Sequence, residues 1–239
     1  QLVARGYQEA ITYSFVDRKS LHVLDPENDP IGLLNPLSSE MGVMRTTLWS
    51  GLIKSLIYNV NRQQSRVRLF ESGLRFRQAP NRGELTLAQI SQEMMIAGVA
   101  SGARYGESWA NGAEPLDFFD IKGDVESLVA MSGAESEFVF SAGRHPALHP
   151  GQTALIHRAG MPVGALGLLD PRVQQALDLD CPVYLFEMRL DALMGRRIPD
   201  AVPLSRFPEV RRDIAIVVDL QITAAEIRKI VVKTAGETL

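Results

Sequence analysis

The chain has 239 residues, of which 46% are apolar and 22% charged, and its formal net charge is −3. This balance belongs to a globular protein of one or two domains with a sizeable core, and it excludes an overall basic field that would draw nucleic acid to the whole surface. The lone cysteine, Cys181, excludes an internal disulfide framework and a multi-cysteine metal site and fits a reducing, cytoplasmic setting; no apolar run approaches the ~18 residues that suggest a membrane span. The first residue is Gln1 and the pattern stops mid-element at Leu239, as expected for a piece of a longer polypeptide.

Gln1 to Gly6 reads as the end of a helix, with Gly6 as its stop. Tyr7, Ile11, Tyr13 and Phe15 then suit strand packing. Asp17 to Pro30 is a polar connection with room for a short helix, and Ile31 to Leu34 reads as a strand closed by Asn35-Pro36. From Leu48 to Val60, apolar residues at Leu48, Leu52, Ile53, Leu56, Ile57 and Val60 recur with helical spacing, and Thr46 or Thr47 can cap the start. Arg66 to Phe76 is a strand with Glu71 and Arg75 interspersed. Gln78 to Glu84 is a loop, Glu93 to Ala100 an apolar strand, and Gly102 to Pro115 a loop carrying Trp109.

Asp117 opens the next helix, and with Asp120 it puts negative charge where the helix dipole favours it. Phe118, Ile121, Val125, Leu128 and Val129 form its apolar face. Glu137 to Phe140 is a short strand. Pro150 to Arg158 and Pro162 to Leu169 make a hairpin around Ala159-Gly160, Pro171 to Leu177 is a short helix, and Val183 to Leu190 is a strand. Three prolines between Gly195 and Pro208 mark a boundary, which divides the chain into 1–199 and 203–239. Arg212 to Val218 then reads as a strand and Ala224 to Ala235 as a helix. Hairpins and long loops, rather than regular βαβ units, predict an α+β fold with a mainly antiparallel sheet flanked by helices.

Several residue groups invite a chemical reading. His145 and His149 have the four-residue spacing of zinc ligands, but Pro146 and Pro150 oppose a helix there and no third ligand is near. Gly160, Gly164 and Gly167 match neither the dinucleotide nor the P-loop spacing, and read as a turn and a close-packed strand. Asp117, Asp120 and Asp124 could present oxygens to magnesium, but a solvated, dipole-compensating helix start is the preferred reading. Cys181 has no nucleophile context. Asn61, Arg62, Gln63, Gln64, Arg66 and Arg68 form a polar and basic link that could meet phosphates, meet a partner's acidic residues, or simply face solvent.

Six blocks taken in order carry a family resemblance: RGYQEAITYSFV, NPLSSEMGVMRTTLWSGL, NRQQSRVRLFESGLRF, DFFDIKGDVESL, HPGQTA, and GALGLLDPRV followed by VYLFEMRLDAL. The chain closely resembles the synthetase-like core of the bacterial phenylalanine–tRNA ligase β-subunit family. Its tail, Pro203 to Asp219, resembles the start of that family's ferredoxin-like anticodon-binding domain. The resemblance implies a class II aminoacyl-tRNA synthetase-like core followed by a truncated ferredoxin-like piece. It implies a core that makes no aminoacyl-adenylate itself and that docks and stabilises a catalytic α subunit in an α2β2 heterotetramer. The whole enzyme would use ATP, magnesium and tRNA, with no cofactor held by this piece.

Catalytic synthetases of this fold carry Arg-x-Glu in their ATP motif, whereas this chain has Arg68-Leu69-Phe70-Glu71. The glycine-rich strand that ends in an ATP-binding arginine has no counterpart, because Arg172 follows Pro171 and opens a helix. The resemblance therefore implies no catalytic residue here. It points to Trp49, Leu52, Leu56, Asn61, Arg62, Arg68 and Glu71 as structural or subunit-interface residues, with Arg62 and Arg68 bearing on assembly. Two other readings stand beside it: an independent ATP-using, amino-acid-activating enzyme of the same fold, and RNA binding by the tail alone. Self-association of the piece through an exposed apolar face is a further expectation.

Overall fold

The computed structural model describes residues 1–78, 90–112, 114–195, 206, 208 and 210–236. The chain divides into two compact units, Gln1–Pro199 and Asp200–Leu239. Most of the expected loop from Gln78 to Glu84, and of the expected boundary from Gly195 to Pro208, lies outside the described residues.

The larger unit is built on a seven-stranded sheet. Its strands are β1 (Gln8–Glu9), β4 (Arg66–Gln78), β5 (Ile90–Gly102), β6 (Phe138–Ala142), β7 (Leu148–Arg158), β8 (Met161–Leu169) and β9 (Val183–Arg189). They lie in the order β1-β4-β5-β9-β8-β7-β6. Among the described residues, the β1–β4 pairing is parallel and the other pairs in this sheet are antiparallel. A separate ribbon pairs β2 (Phe15–Val16) with β3 (Val43–Met44). The helices are α1 (Arg18–Leu24), α2 (Trp49–Val60), α3 (Phe118–Ala130), α4 (Pro171–Ala176) and α5 (Asp191–Met194).

Side chains alternate across a strand, so each central strand serves two cores. Val67 and Leu69 of β4, Met95, Ala97 and Val99 of β5, and Val183 and Leu185 of β9 pack with Trp49, Leu52, Ile53 and Leu56 of α2. The intervening residues, Ile96 and Ala100 of β5 and Tyr184, Phe186 and Met188 of β9, pack with Ile121, Val125, Leu128 and Val129 of α3. The sheet is thus covered by α2 on one face and α3 on the other. Each large apolar side chain so buried contributes roughly 1.5–3 kcal/mol.

Local chemistry sets the element ends. Asp117 closes a capping box at the start of α3: its Oδ1 accepts from the backbone N–H of Phe119 and Asp120, and Asp120 Oδ2 accepts from the Asp117 N–H. Ala159 and Gly160 take φ of 48° and 81°, the mirror-image turn that a tight β7–β8 hairpin needs. Gly164 and Gly167 lie in close-packed β8. A Cβ on them would come within 2.4 Å of Glu187 O and 2.3 Å of Gln152 O respectively.

Four expectations need correction. The strand expected from Tyr7 to Phe15 is two short ones, β1 and β2, and Ile11 and Tyr13 are exposed between them. Parallel pairing with β4 lasts only for Gln8 and Glu9, and the chain then turns off the sheet edge. Of Ile31 to Leu34, only Gly32 bridges, to Val43. Asp124 is not a solvated residue at the start of its helix but a buried one on its inner face. Arg212 to Val218 forms no strand: no described segment pairs with it, and Ile214 and Val217 are exposed. A strand needs a ladder partner for its backbone groups. In this smaller unit the described secondary structure is α6 (Ala224–Ala235), opened by a Thr223–Glu226 capping box.

Leu52 and Leu56 are fully buried under α2. Leu56→Ala should lower the unfolding free energy by about 2–5 kcal/mol, measured by denaturant titration. A loss below about 1 kcal/mol would mean that α2 does not cover this face as described.

Candidate functional site

Of the buried carboxylates among the described residues, three tie distant parts of the larger unit together. Asp124 on α3 accepts from Arg5 Nη1 at 3.0 Å, Tyr7 OH at 2.8 Å and Arg68 Nη1 at 2.8 Å. Glu71 on β4 accepts from Arg45 Nη1 at 2.7 Å and Thr12 Oγ1 at 2.6 Å, and Arg45 Nε also reaches the Leu74 carbonyl at 2.8 Å. Glu187 on β9 accepts from the Leu48 N–H at 2.7 Å, Thr47 Oγ1 at 2.9 Å and Arg75 Nη1 at 3.2 Å. Arg75 in turn holds Glu93 across the β4–β5 ladder at 2.7 Å.

Strand geometry separates these groups. Residues three apart on a strand face opposite sides of the sheet. Arg68 therefore reaches α3 while Glu71 turns to the other face, and the pair cannot serve one phosphate site. Arg68 is 7% exposed and Glu71 3%, each held inside the chain. Arg172 is clamped by Asp170 through Nε and Nη2, both at 3.0 Å. Arg68 is thus not free to cradle a nucleotide, whereas Arg172 is an exposed side chain paired with Asp170 beside it.

The other singled-out residues fall into two groups. Trp49, Leu52 and Leu56 belong to the α2 core, and Trp49 Nε1 donates to the Phe186 carbonyl at 2.9 Å. Asn61 and Arg62 are exposed at the end of α2, where the Arg62 guanidinium sits 3.3 Å from the Tyr58 ring centroid. The basic link is therefore not one patch. Arg62 is outside, Arg68 is inside, and Arg66 lies between them at the start of β4.

The two histidines are also apart from any ligand cluster. His145 packs edge-on against Trp49, with ring centroids 5.0 Å apart. His145 and His149 each accept a backbone N–H at Nδ1, from Ala147 and Gly151. Among the described residues, no group of three or more His, Cys, Asp or Glu side chains is placed to hold a metal ion. Cys181 accepts a hydrogen bond from Ser101 Oγ at 3.3 Å.

Burial shifts the key protonation equilibria. Desolvation raises the Glu187 carboxyl, against the opposing pull of Arg75 and of the Leu48 and Thr47 donors. Desolvation also raises the Tyr7 phenol well above its ordinary value, with the Asp124 charge adding to it, and lowers His145. Two clefts flank this framework. The larger, about 640 Å³, is lined by Arg5, Arg66, Arg68, Arg104 and Asp120 among others; the smaller, about 410 Å³, by Arg144, His145 and Asp170 among others.

Sequence reasoning missed Arg45, Arg104 and Glu187. A signal for Glu187 was present: a charge inside the apolar run VYLFEMRL must be paired if buried. Arg104 meets Glu114, Asp117 and Asp120 together, and Asp117 and Asp120 had drawn attention only as a helix start.

An antiparallel sheet covered by helices on both faces is the architecture of a class II synthetase core. The fold is similar to that of a pyrrolysyl-tRNA synthetase from Desulfitobacterium hafniense, with a TM-score of 0.56 and 14% identity over 81% of this chain and 61% of that one. The family model described as the phenylalanyl tRNA synthetase beta chain CLM domain matches residues 1–190, and the chain belongs to that family. It is 52% identical over 238 residues to the phenylalanine–tRNA ligase beta subunit of Pseudomonas putida and 50% identical over 236 residues to that of Hahella chejuensis. All of this chain aligns with the first and 99% with the second, yet it spans only 29% of the length of either relative.

Two measurements test the networks. Asp124→Asn should cost about 3–5 kcal/mol of folding free energy, because it strips the counter-charge from buried Arg68; the exposed Arg62→Ala should change it by less than about 0.5 kcal/mol. Equal costs would contradict the burial assigned here. The raised Glu187 carboxyl sets the sign of a pH effect. Its contribution to stability is fully present below the ordinary glutamate range and is lost as pH rises through the raised folded value. Relative to Glu187→Gln, the native chain should therefore lose stability as pH rises through and above the ordinary glutamate range. A relative gain over that range would show that Arg75 outweighs desolvation.

Proposed function

We propose that this chain is the non-catalytic synthetase-like core of a phenylalanine–tRNA ligase β subunit and that it docks and stabilises the catalytic α subunit. The whole enzyme, on this reading, is a cytoplasmic α2β2 assembly that attaches phenylalanine to its tRNA with ATP and magnesium. The α subunit carries the chemistry, and this core supplies a rigid surface. Family membership supports the β-subunit assignment. The observation that carries the non-catalytic part is the state of the arginines: Arg45, Arg68 and Arg75 are bound to Glu71, Asp124 and Glu187 within the fold. A guanidinium already paired and buried supplies no preorganised charge for a developing phosphate oxyanion.

Among the described residues no helix is long and apolar enough to cross a membrane. Exposed apolar side chains at Ile11, Tyr13, Leu34 and Leu37 are consistent with a surface completed by protein.

Mixing the purified chain with the catalytic subunit should give one mixed species by size-exclusion chromatography with light scattering, and the chain alone should show no phenylalanine-dependent pyrophosphate exchange. A folded chain that forms no mixed species would refute the docking role. Exchange by the chain alone would instead establish an independent amino-acid-activating enzyme.

A further inference from the structure

The larger cleft holds a cation with no carboxylate in hydrogen-bond contact among the described residues. The Arg66 side chain makes no hydrogen bond or ion pair with any described residue, and its Nε is buried without a partner. The guanidinium lies against Gly6, where an added Cβ would sit 3.0 Å from Nη2 and 3.2 Å from Nη1. Gly6 has φ of 82°, so both its conformation and the space beside it suit a residue without a side chain.

The charges around the cleft are unevenly distributed. At one end, Arg5, Arg66 and Arg68 surround the single carboxylate of Asp124, whose two oxygens already accept from Arg5, Tyr7 and Arg68. At the other end, Arg104 alone faces Glu114, Asp117 and Asp120. The excess positive charge is thus local to Arg66. Burial, followed by the nearby Arg68 charge, lowers the hold of Arg66 on its proton, as expected of a cation lacking its own carboxylate. Two exposed aromatic side chains, Tyr105 and Phe119, also line the cleft, at 53% and 74% exposure.

We propose that this cleft receives an acidic side chain of the catalytic subunit, its carboxylate paired with Arg66 and its flanking residues packed on Tyr105 and Phe119. The proposal rests on the docking reading above and names the chemistry of one contact within it. An arginine beside aromatic residues in a concave site is the composition of a protein–protein hot spot. A planar guanidinium also matches a carboxylate through paired hydrogen bonds. Nucleic acid fits less well. Phosphate-backbone binding grows with the number of phosphates neutralised, whereas this cleft offers one unpaired cation beside an acidic end, on a chain of net charge −3.

The test uses the full-length β subunit and its catalytic partner, with Arg66→Gln and Arg66→Lys. Association is measured by titration calorimetry at low and raised salt, tRNA affinity on the assembled enzyme, and Tm on the isolated β subunit. Arg66→Gln should weaken subunit association about tenfold, the size of one charge-assisted contact. Arg66→Lys should recover part of that loss. Tm of the isolated subunit should not fall, because Arg66 has no described partner within the chain. Association unchanged within about twofold would overturn the proposal while leaving the docking reading intact. So would a fall in tRNA affinity with association unchanged, which would assign the site to phosphate, or a lower Tm of the isolated subunit, which would place the carboxylate elsewhere in the β chain. If the wild-type subunits fail to associate, both the docking reading and this contact fail.

Discussion

An ionised carboxylate taken out of water costs several kcal/mol unless a cation and further donors meet it. Asp124, Glu71 and Glu187 each satisfy that requirement by drawing groups from distant parts of the chain. Asp124 joins α3 to the N-terminal segment and β4. Glu71 joins β4 to the segment around Thr12 and to Arg45, next to the β2–β3 ribbon. Glu187 joins β9 to the N-terminus of α2 and, through Arg75, to β4 and β5. The apolar cores on either face would tolerate some sliding of helix over sheet. The three anions do not, because a shifted register leaves a charge unpaired.

That constraint bears directly on chemistry. Arg68 and Glu71 look like a nucleotide motif on paper, yet the period-two alternation of β4 sends them to opposite faces. Each is then paired within the fold, Arg68 with Asp124 and Glu71 with Arg45. The same sheet architecture that can present arginines to a phosphate here uses them as internal ties. A domain of this kind is suited to holding a surface in place for another chain, and Arg66, like Arg77, departs from the pattern of paired arginines, its Nε buried without a partner.

Much of the fold could be read from local pattern. The apolar spacing of Leu52, Ile53 and Leu56 identified α2, Asp117 marked the start of α3, and Ala159-Gly160 marked the β7–β8 turn. Long-range relations were not legible. The order of the sheet depends on pairing β5 with β9, whose residues lie far apart in sequence. Asp124 read as solvated because its neighbours Asp117 and Asp120 are helix-start residues; only the position of Arg68 and Tyr7 shows that it faces inward. Arg212 to Val218, with its apolar run from Ile214, predicted a strand, but an apolar run supplies no ladder partner. The family blocks conveyed the architecture, whereas the division of Arg62, Arg66 and Arg68 among outside, cleft and interior required coordinates.

The buried tie between Arg68 and Asp124 joins β4 to α3 at the centre of this framework. A double-mutant cycle with Arg68→Met, Asp124→Leu and the combined variant, followed by denaturant unfolding, tests it most directly. Each single change should be strongly destabilising, and the combined change should cost at least about 2 kcal/mol less than the sum of the two, since neither charge is then left buried alone. Additive costs would mean that the two residues do not share their charge in the fold, and the description of the sheet as held by internal ion pairs would be wrong.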